Sequence, residues 1–411
     1  MRLGTKAAPD APSIPAGLPD ERVEHSVPAT ISNLSRSKRA GIRAGNVLDM
    51  IKEASPPGVF RDSDTVPLIS VIVLNYNGAP WLERCLDSLR HQTLAGRVEV
   101  IVADNDSPDR SDLLAAELMQ SWPNGRVSRH GINLGYAGGN NRAAEQARGR
   151  YLFFLNNDTW LETDCLERLL HEMQAAGAAV ATPQVMDYLE GNDSKQAVGG
   201  MGFDLFGLIS GSTNASSRRE VFVAAGCSLL IEADLFRRLG GFDAEFFMYA
   251  DEYDLCWRVW SAGCKVVWAP SARLHHRGAA AVNPLGQQNV LENRTSDTKR
   301  FYANRNNLLV LFKNCQHVLL LTVPLQLIML GMEAVVMGLL TRRWSHIRRA
   351  YGEALWDCWR LRGHILAERR RLRLLRRRGD FWMLRFLRAR FNRLDELRRF
   401  RRFGPPKVDP Q

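Results

Sequence analysis

Residues 151–160, YLFFLNNDTW, decide the fold. The five apolar or aromatic residues from Tyr151 to Leu155 read as a strand buried on both faces. A polar cluster, Asn156, Asn157, Asp158 and Thr159, follows at once. In an open α/β sheet, a carboxylate at the carboxyl end of a central strand stands where such sheets bind ligands. An Asx-rich turn that merely ends the strand fits these ten residues equally well. The surrounding pattern has to separate the two readings.

Upstream, the same pattern occurs twice more. LISVIVLNY (68–76) reads as a strand ending in Asn75, Tyr76, Asn77 and Gly78, and VEVIVADNDS (98–107) as one ending in Asp104, Asn105, Asp106 and Ser107. Between them Pro80 suits the first turn of a helix, with Trp81, Leu82, Cys85, Leu86 and Leu89 at helical spacing. A short strand near 126–130 leads to NLGYAGGNNRAAEQA, where Gly135, Gly138 and Gly139 precede a helix. A helix over 161–175 and a strand over 178–183 continue the alternation, which predicts a parallel sheet with polar residues at the strand ends. GYAGGN lacks the G-x-G-x-x-G spacing and follows the third strand, which argues against a dinucleotide-binding dehydrogenase; no Walker A motif supports a P-loop NTPase. Residues 184–222 read as glycine-rich loops or an edge hairpin near a ligand, and VFVAAGCSLLI (221–231) as a strand broken by a glycine turn.

A second cluster of chemistry lies in DEYDLCWRVW (251–260). Asp251, Glu252 and Asp254 stand at the start of an amphipathic helix carrying Leu255, Trp257, Val259 and Trp260. Acids in a first turn complement the helix dipole. Three of them beside Phe246, Phe247 and Tyr249 exceed what capping requires, and partial burial would raise a carboxylate pKa towards that of a general base. His275 and His276 follow the strand KVVWAP in what reads as a loop; they suit ordinary hydrogen-bonding roles or one metal-binding imidazole.

The 411 residues allow one large α/β domain with appendages, or two domains, and 45% hydrophobic content is enough to bury a core. The formal charge of +11 is uneven: residues 341–403 hold 21 Arg, no Lys and six acids, so this segment carries +15 and the rest −4. Seven cysteines without a C-x-x-C pair argue for a reducing compartment and against a structural zinc site. The first residues lack the apolar run of a signal peptide, so a cytoplasmic chain is expected. Residues 1–66, rich in Pro, Ala and Ser with a basic patch at 36–43, read as a flexible extension with one short helix near 38–53.

The run at 318–340 is long enough to cross a bilayer, but Pro324, Gln326, Gly331 and Glu333 favour an interfacial or groove-forming helix pair. Beyond it, arginines interleaved with Leu, Phe and Trp predict contact with an anionic membrane surface. A nucleic-acid partner is not expected, since no accompanying nucleic-acid-binding motif is present.

Taken in order, ISVIVLNYN, VIVADNDS, NLGYAGGNN, FFLNND, GGFDAEFFMYADEYDLCWR and LHHRG resemble the family 2 glycosyltransferases, with the closest likeness to the bacterial rhamnosyltransferase-like branch. The resemblance covers about residues 67–315. It implies a GT-A fold, a Rossmann-like, mostly parallel α/β sheet flanked by helices, here followed over 316–411 by a helical, basic amphipathic region. It implies inverting transfer of a sugar from a nucleotide diphosphate donor.

By the same resemblance, Asn156-Asn157-Asp158 falls on the family's D-x-D metal motif, with Asp158 at its final acid and Asn156 replacing the first. Asp158 and His276, with His275 as a second candidate, are then the ligands of Mg²⁺ or Mn²⁺. Tyr76, Asn77, Asp104, Asn105, Asn133, Gly135 and Asn157 line the donor site. Asp251-Glu252 matches the family's acid pair, Glu252 being the expected base and Asp251 its alternate. The donor implied is a dTDP- or UDP-sugar, with a deoxysugar such as rhamnose favoured. The acceptor is a glycan or lipid-linked glycan of the cell envelope, reached from the inner face of the membrane. Arg305, Asn306 and Asn307 are expected to close over the acceptor side. A nucleotidyltransferase would open on a Gly-rich basic loop, which LNYNG is not. A nucleotide-sugar-binding protein of this fold without activity is the alternative that Asn156 keeps open.

Overall fold

The computed structural model describes residues 66–188, 200–211, 219–278, 294–388 and 407–409; the N-terminal extension expected over 1–66, save its last residue, and most of the tail beyond residue 388 lie outside the described residues. The first half runs β1 (Ile69–Asn75), α1 (Leu82–Arg90), β2 (Val98–Asp104), α2 (Ser111–Met119), β3 (Gly125–Arg129), α3 (Gly135–Ala144) and β4 (Tyr151–Asn156). It continues through β5 (Thr159–Leu161), α4 (Cys165–Ala175), β6 (Val180–Asp187), the hairpin β7 (Gly200–Phe203) and β8 (Ile209–Gly211), and β9 (Ser228–Glu232). Then come α5 (Ala233–Leu239), α6 (Asp251–Ser261), β10 (Val266–His276), α7 (Asp297–Asn314) and α8 (Thr322–Thr341). A π-helical turn (Arg348–Glu353) leads into α9 (Ala354–Arg360) and α10 (Arg362–Leu375).

The three apolar runs of the sequence are the centre of the sheet: β1 lies between β2 and β4 and is parallel to both. Residues alternate faces along each strand. Val71, Val73, Phe153 and Leu155 pack with α1 and α4 on one side, while Ile72, Leu152 and Phe154 join the larger core on the other. Register brings the polar ends together, since Asn75 is opposite Asp104 and Leu74 opposite Asn156. All the strand-end clusters therefore open on one edge, as the sequence predicts.

The full order is β3-β2-β1-β4-β9-β6-β10-β5. It is mostly parallel with helices on both faces, the GT-A arrangement expected. Two strands make the sheet mostly and not wholly parallel: β9 runs antiparallel between β4 and β6, and β5 antiparallel to β10. An apolar run carries no directional signal, so the insertion of β9 was not visible in its sequence. Three local expectations are corrected. Gly135, Gly138 and Gly139 lie inside α3 and not before it. The helix expected from residue 161 starts at Cys165, behind β5. His275 and His276 end a strand and do not sit in a loop.

The segment 318–340 is a single helix behind a short turn at Val318–Leu321, not a helix pair. Pro324 falls in its first turn, where it costs no hydrogen bond. Its polar residues turn to the protein: Gln326 is fully buried, and Glu333 is paired with Arg300 of α7 at 3.2 Å. Leu319, Val323, Met329, Leu330, Tyr351, Cys358 and Ile365 belong to the same core as β4 and α6. The C-terminal helices are thus packed against the sheet's own helical layer.

Candidate active site

The floor of the site is a hydrogen-bonded raft at the ends of β1, β2 and β4. Asn75 donates to Asp104 Oδ1 at 2.9 Å and to Ser111 Oγ at 2.8 Å, and accepts from Asn157 Nδ2 at 2.9 Å. Ser107 closes the Asp104 carboxylate through its hydroxyl at 2.6 Å and its N–H at 3.2 Å. Gly78 crosses this raft so closely that an added Cβ would fall 2.0 Å from Asn75 Oδ1 and 2.3 Å from Asn157 Nδ2. Beside it Tyr76 is exposed, and Asn77 takes a left-handed φ of 54° with its N–H on Ser107. Asn105 is buried and donates to Asn133 Oδ1 at 2.9 Å and to the Gly135 carbonyl at 3.1 Å, which pins the 133–135 loop to the end of β2.

Asp158 sits behind this raft, 3.4 Å from His276 Nε2. Burial acts to raise the Asp158 pKa, but the His276 imidazole outweighs it and holds the carboxyl below its ordinary value. Burial likewise acts to lower His276, yet the neighbouring Cys227 and Asp158 carry it well above the usual imidazole value. His275, one residue earlier on the strand, faces away. Its Nδ1–H donates to the Asp187 carbonyl at 2.6 Å and its ring stacks flat on Trp160 with centroids 3.8 Å apart, so it is a packing residue.

Of the three acids in the second cluster, one is tied into a structural ion network and two are not. Asp254 is fully buried in an ion network with Arg258 (2.8 Å), Lys313 (2.9 Å) and Asn314 (2.8 Å), which also reaches Asp243 and, through it, His364 of α10. Among the described residues, no cation contributes to the electrostatics of Asp251 or Glu252. Burial and the adjacent Glu252 carboxyl push Asp251 well above the usual carboxylate range, and burial raises Glu252 too, so the two titrate as one coupled pair.

The segment leading into the dyad is strained. Phe247 has φ 59° and ψ −63°, with the Met248 N–H on the Phe246 carbonyl at 2.7 Å, a γ-turn of the rare hand. Tyr249 and Ala250 follow at φ 69° and 60°. Asn306 of α7, fully buried, holds this turn by donating to the carbonyls of Phe246 (2.9 Å), Met248 (2.7 Å) and Tyr249 (2.8 Å). Arg305 reaches the carbonyls of Glu245 and Phe246 at 2.5 and 3.1 Å and pairs with Asp357 at 2.7 Å. Among the described residues, Asn307 bonds within its own helix, to Ala303. Arg305 and Asn306 therefore brace the turn, and Asn307 does not reach it. The turn also touches the 133–135 loop: at Gly135 (φ +70°) a Cβ would fall 2.3 Å from the Phe247 carbonyl, whose oxygen accepts from the Ala137 N–H at 3.2 Å.

The segment just before β9 joins the two clusters, and it was missed in the sequence. An added Cβ at Gly226 would stand 3.3 Å from the Glu252 carboxyl carbon, and the Gly226 carbonyl accepts from Tyr136 Oη at 2.7 Å. The next residue, Cys227, contacts His276, and its carbonyl accepts from the Asn156 N–H at 3.0 Å. The acid dyad and the Asp158–His276 pair thus share one wall. VFVAAGCSLLI carried a signal, a glycine and a small residue before a buried strand, consistent with close approach to another group.

Asp158 and His276 offer an oxygen and a nitrogen donor side by side. Among the described residues there is no cluster of three His, Cys, Asp or Glu side chains arranged for a metal ion. A two-donor set suits a hard divalent ion that completes its shell with substrate phosphates and water.

The Glycosyl transferase family 2 model matches residues 70–240 of the chain. An N-acetylglucosaminyl-diphospho-decaprenol L-rhamnosyltransferase of Mycobacterium tuberculosis is 30% identical over 243 residues, covering 52% of this chain and 77% of that enzyme. The uncharacterized glycosyltransferase EpsJ of Bacillus subtilis is 35% identical over 109 residues, covering 26% of this chain and 31% of that protein. Among solved structures, S. aureus TarS 1-349 in complex with UDP-GlcNAc superposes with a TM-score of 0.48 at 15% identity, covering 75% of this chain and 90% of that one. The mannosyltransferase PcManGT from Pyrobaculum calidifontis, in complex with GDP-Man and Mn²⁺, superposes with a TM-score of 0.46 at 14% identity over 76% and 94% of the two chains. Extended identity across most of the mycobacterial enzyme, on top of the matched family model, places the chain: it belongs to glycosyltransferase family 2.

Proposed function

We propose that the protein transfers a sugar from a nucleotide diphosphate donor to a glycan or lipid-linked glycan acceptor, with inversion at the anomeric carbon. The observation that carries this reading is the wall at Gly226–Cys227, which sets a coupled acid dyad beside a carboxylate–imidazole pair. Glu252 is the base: it takes the acceptor hydroxyl proton as that oxygen attacks the anomeric carbon. Asp251, more deeply buried, titrates together with Glu252 and so sets the pH at which Glu252 becomes free to act. Asp104, Asn157, Tyr76 and Asn77 line the strand ends where the nucleotide lies, with Asn105, Asn133 and Gly135 shaping the adjoining loop.

Asp158 and His276 would hold Mg²⁺ or Mn²⁺, which when bound stabilises the charge of the departing nucleotide diphosphate as a Lewis acid. The similarity to a mycobacterial enzyme whose name specifies a rhamnosyltransferase and a decaprenol-linked acceptor favours a deoxysugar donor, dTDP- or UDP-linked, and a polyprenyl-linked envelope glycan as acceptor. Work on such an acceptor places the protein peripherally at the inner face of the membrane, where the arginine-rich tail meets anionic lipid. Incubation with a panel of nucleotide sugars, with Mn²⁺ or with chelator, tests the assignment by release of nucleotide diphosphate. Metal-dependent release from one donor supports it. No release from any donor, together with thermal stabilisation by one of them, would mark a binding protein of the same fold.

A further inference from the structure

The outward face of α8 is a continuous apolar stripe. Leu325, Ile328, Met332, Val335 and Leu339 recur at intervals of three and four behind Leu321 of the preceding turn, all exposed, with Leu321 at 67%, Ile328 at 60% and Leu339 at 69%, and Val336 widens the stripe. The helix is apolar all round, with a mean hydropathy of 2.0 over its best window, yet only a third of that window is buried. The face turned to the protein carries Gln326 and the Glu333–Arg300 pair, so the polar side chains that would penalise lipid contact lie on the protein side of the helix. At the C-terminal end Trp344 folds back to Gly338, where a Cβ would lie 3.3 Å from its ring, and is 69% exposed. Arg342, Arg343, Arg348 and Arg349, all exposed, surround this end. The next helix, α9, again exposes Leu355, Trp356 and Trp359, and the Arg362 guanidinium lies 4.6 Å over the Trp359 ring.

We infer that α8 lies flat in the headgroup boundary of an anionic bilayer, its outward stripe immersed and its arginine-rimmed end on lipid phosphates. The membrane contact is thus made by a structured helix of the catalytic unit, and the arginine-rich tail adds to it. A helix with one face locked on α7 and the other apolar and, among the described residues, uncovered is suited to lie on a membrane and not to cross it. Charge decides between lipid and a second copy of the chain. A second copy of this stripe, made of Leu, Ile, Met and Val, would bring the arginine rim no acidic partner, whereas anionic lipid neutralises it. Indole at the end of the stripe suits the headgroup level.

The test is flotation of the purified full-length protein with vesicles of phosphatidylcholine alone or mixed with phosphatidylglycerol. Binding to the anionic vesicles, weakened by salt and reversed by carbonate washing, is expected. The double variant Ile328→Asp/Val335→Asp changes only exposed positions and should lose vesicle binding by more than tenfold while its thermal melt is unchanged. Arg342→Gln and Arg343→Gln should each weaken binding about fivefold, in anionic vesicles only. Undiminished vesicle binding by the Asp variant overturns the inference. Two further results do the same: resistance to carbonate extraction, which marks a spanning helix, and a dimer that the Asp variant dissociates without any vesicle binding.

Discussion

Removing the Asn306 amide tests whether the strained turn before the dyad is held from outside. In Asn306→Ala, the Met248 and Tyr249 carbonyls lose a donor at 2.7 and 2.8 Å, while the Phe246 carbonyl keeps Arg305 and the Met248 N–H. Both hydrogen bonds are part-buried and contribute about 0.5–1.5 kcal/mol each, so their loss costs about 1–3 kcal/mol before relaxation. The turn need not bear that cost: with Phe247, Tyr249 and Ala250 each strained by about 1–3 kcal/mol, its cheaper response is to relax its backbone. Relaxation displaces Asp251 and Glu252, which directly follow, and a shift on the order of 1 Å costs about 10²-fold in rate. The expected result is a fall in kcat of about 10²-fold with little change in donor KM. The acid limb of the rate profile should also move towards the ordinary carboxylate range as the dyad loses its burial. Asn307→Ala, one residue along and bonded within its own helix, should change none of these. Steady-state kinetics across pH on both variants provide the readout. Wild-type kcat and an unmoved pH profile in Asn306→Ala would refute the reasoning, even with a lowered Tm.

Asp254→Asn strips a buried ion network of its central carboxylate, and should cost about 3–5 kcal/mol in urea unfolding while the folded fraction keeps its turnover, because Asp254 serves structure and not chemistry. Asp251→Asn should do the reverse. A carboxyl whose folded pKa is raised loses stability as pH climbs from its unfolded value through its folded one, so this variant should melt higher than wild type at pH 8 and equally at pH 4, measured by calorimetry. The Asp243–His364 contact at 2.8 Å has limits on both sides. Depressed Asp243 contributes stability above its unfolded pKa of about 4, lost as pH falls through the folded value, and raised His364 contributes below about 6.5, lost as pH rises through its folded value. His364→Ala should therefore flatten the alkaline fall in Tm and also lessen the acid one, because the His364 hydrogen bond is the foremost of the contacts that depress Asp243, with Lys313 keeping part of that effect.

Much of this site could be read from residue order. The apolar runs of β1, β2 and β4 announced a sheet centre, and their polar ends converge because parallel register aligns them. The distinction between His275 and His276 was available in principle, since neighbours on a strand face opposite ways, but KVVWAP appeared to end before them. Asp254 sits four residues before Arg258, a spacing that foretells an ion pair, whereas Lys313 joins them from 59 residues away and left no trace in the sequence. The same holds for the Asn306 clamp and the wall at Gly226–Cys227. Both depend on tertiary placement of an antiparallel strand and of a C-terminal helix, which no local pattern encodes.

The central claim is that Glu252 removes the acceptor proton at a donor site it does not itself build. Glu252→Gln keeps the size of the side chain and cannot accept the proton. Titration of this variant with the nucleotide sugar identified in the donor panel should give an affinity equal to wild type, while transfer falls by a factor on the order of 10²–10⁴. Near wild-type transfer by Glu252→Gln would contradict the account.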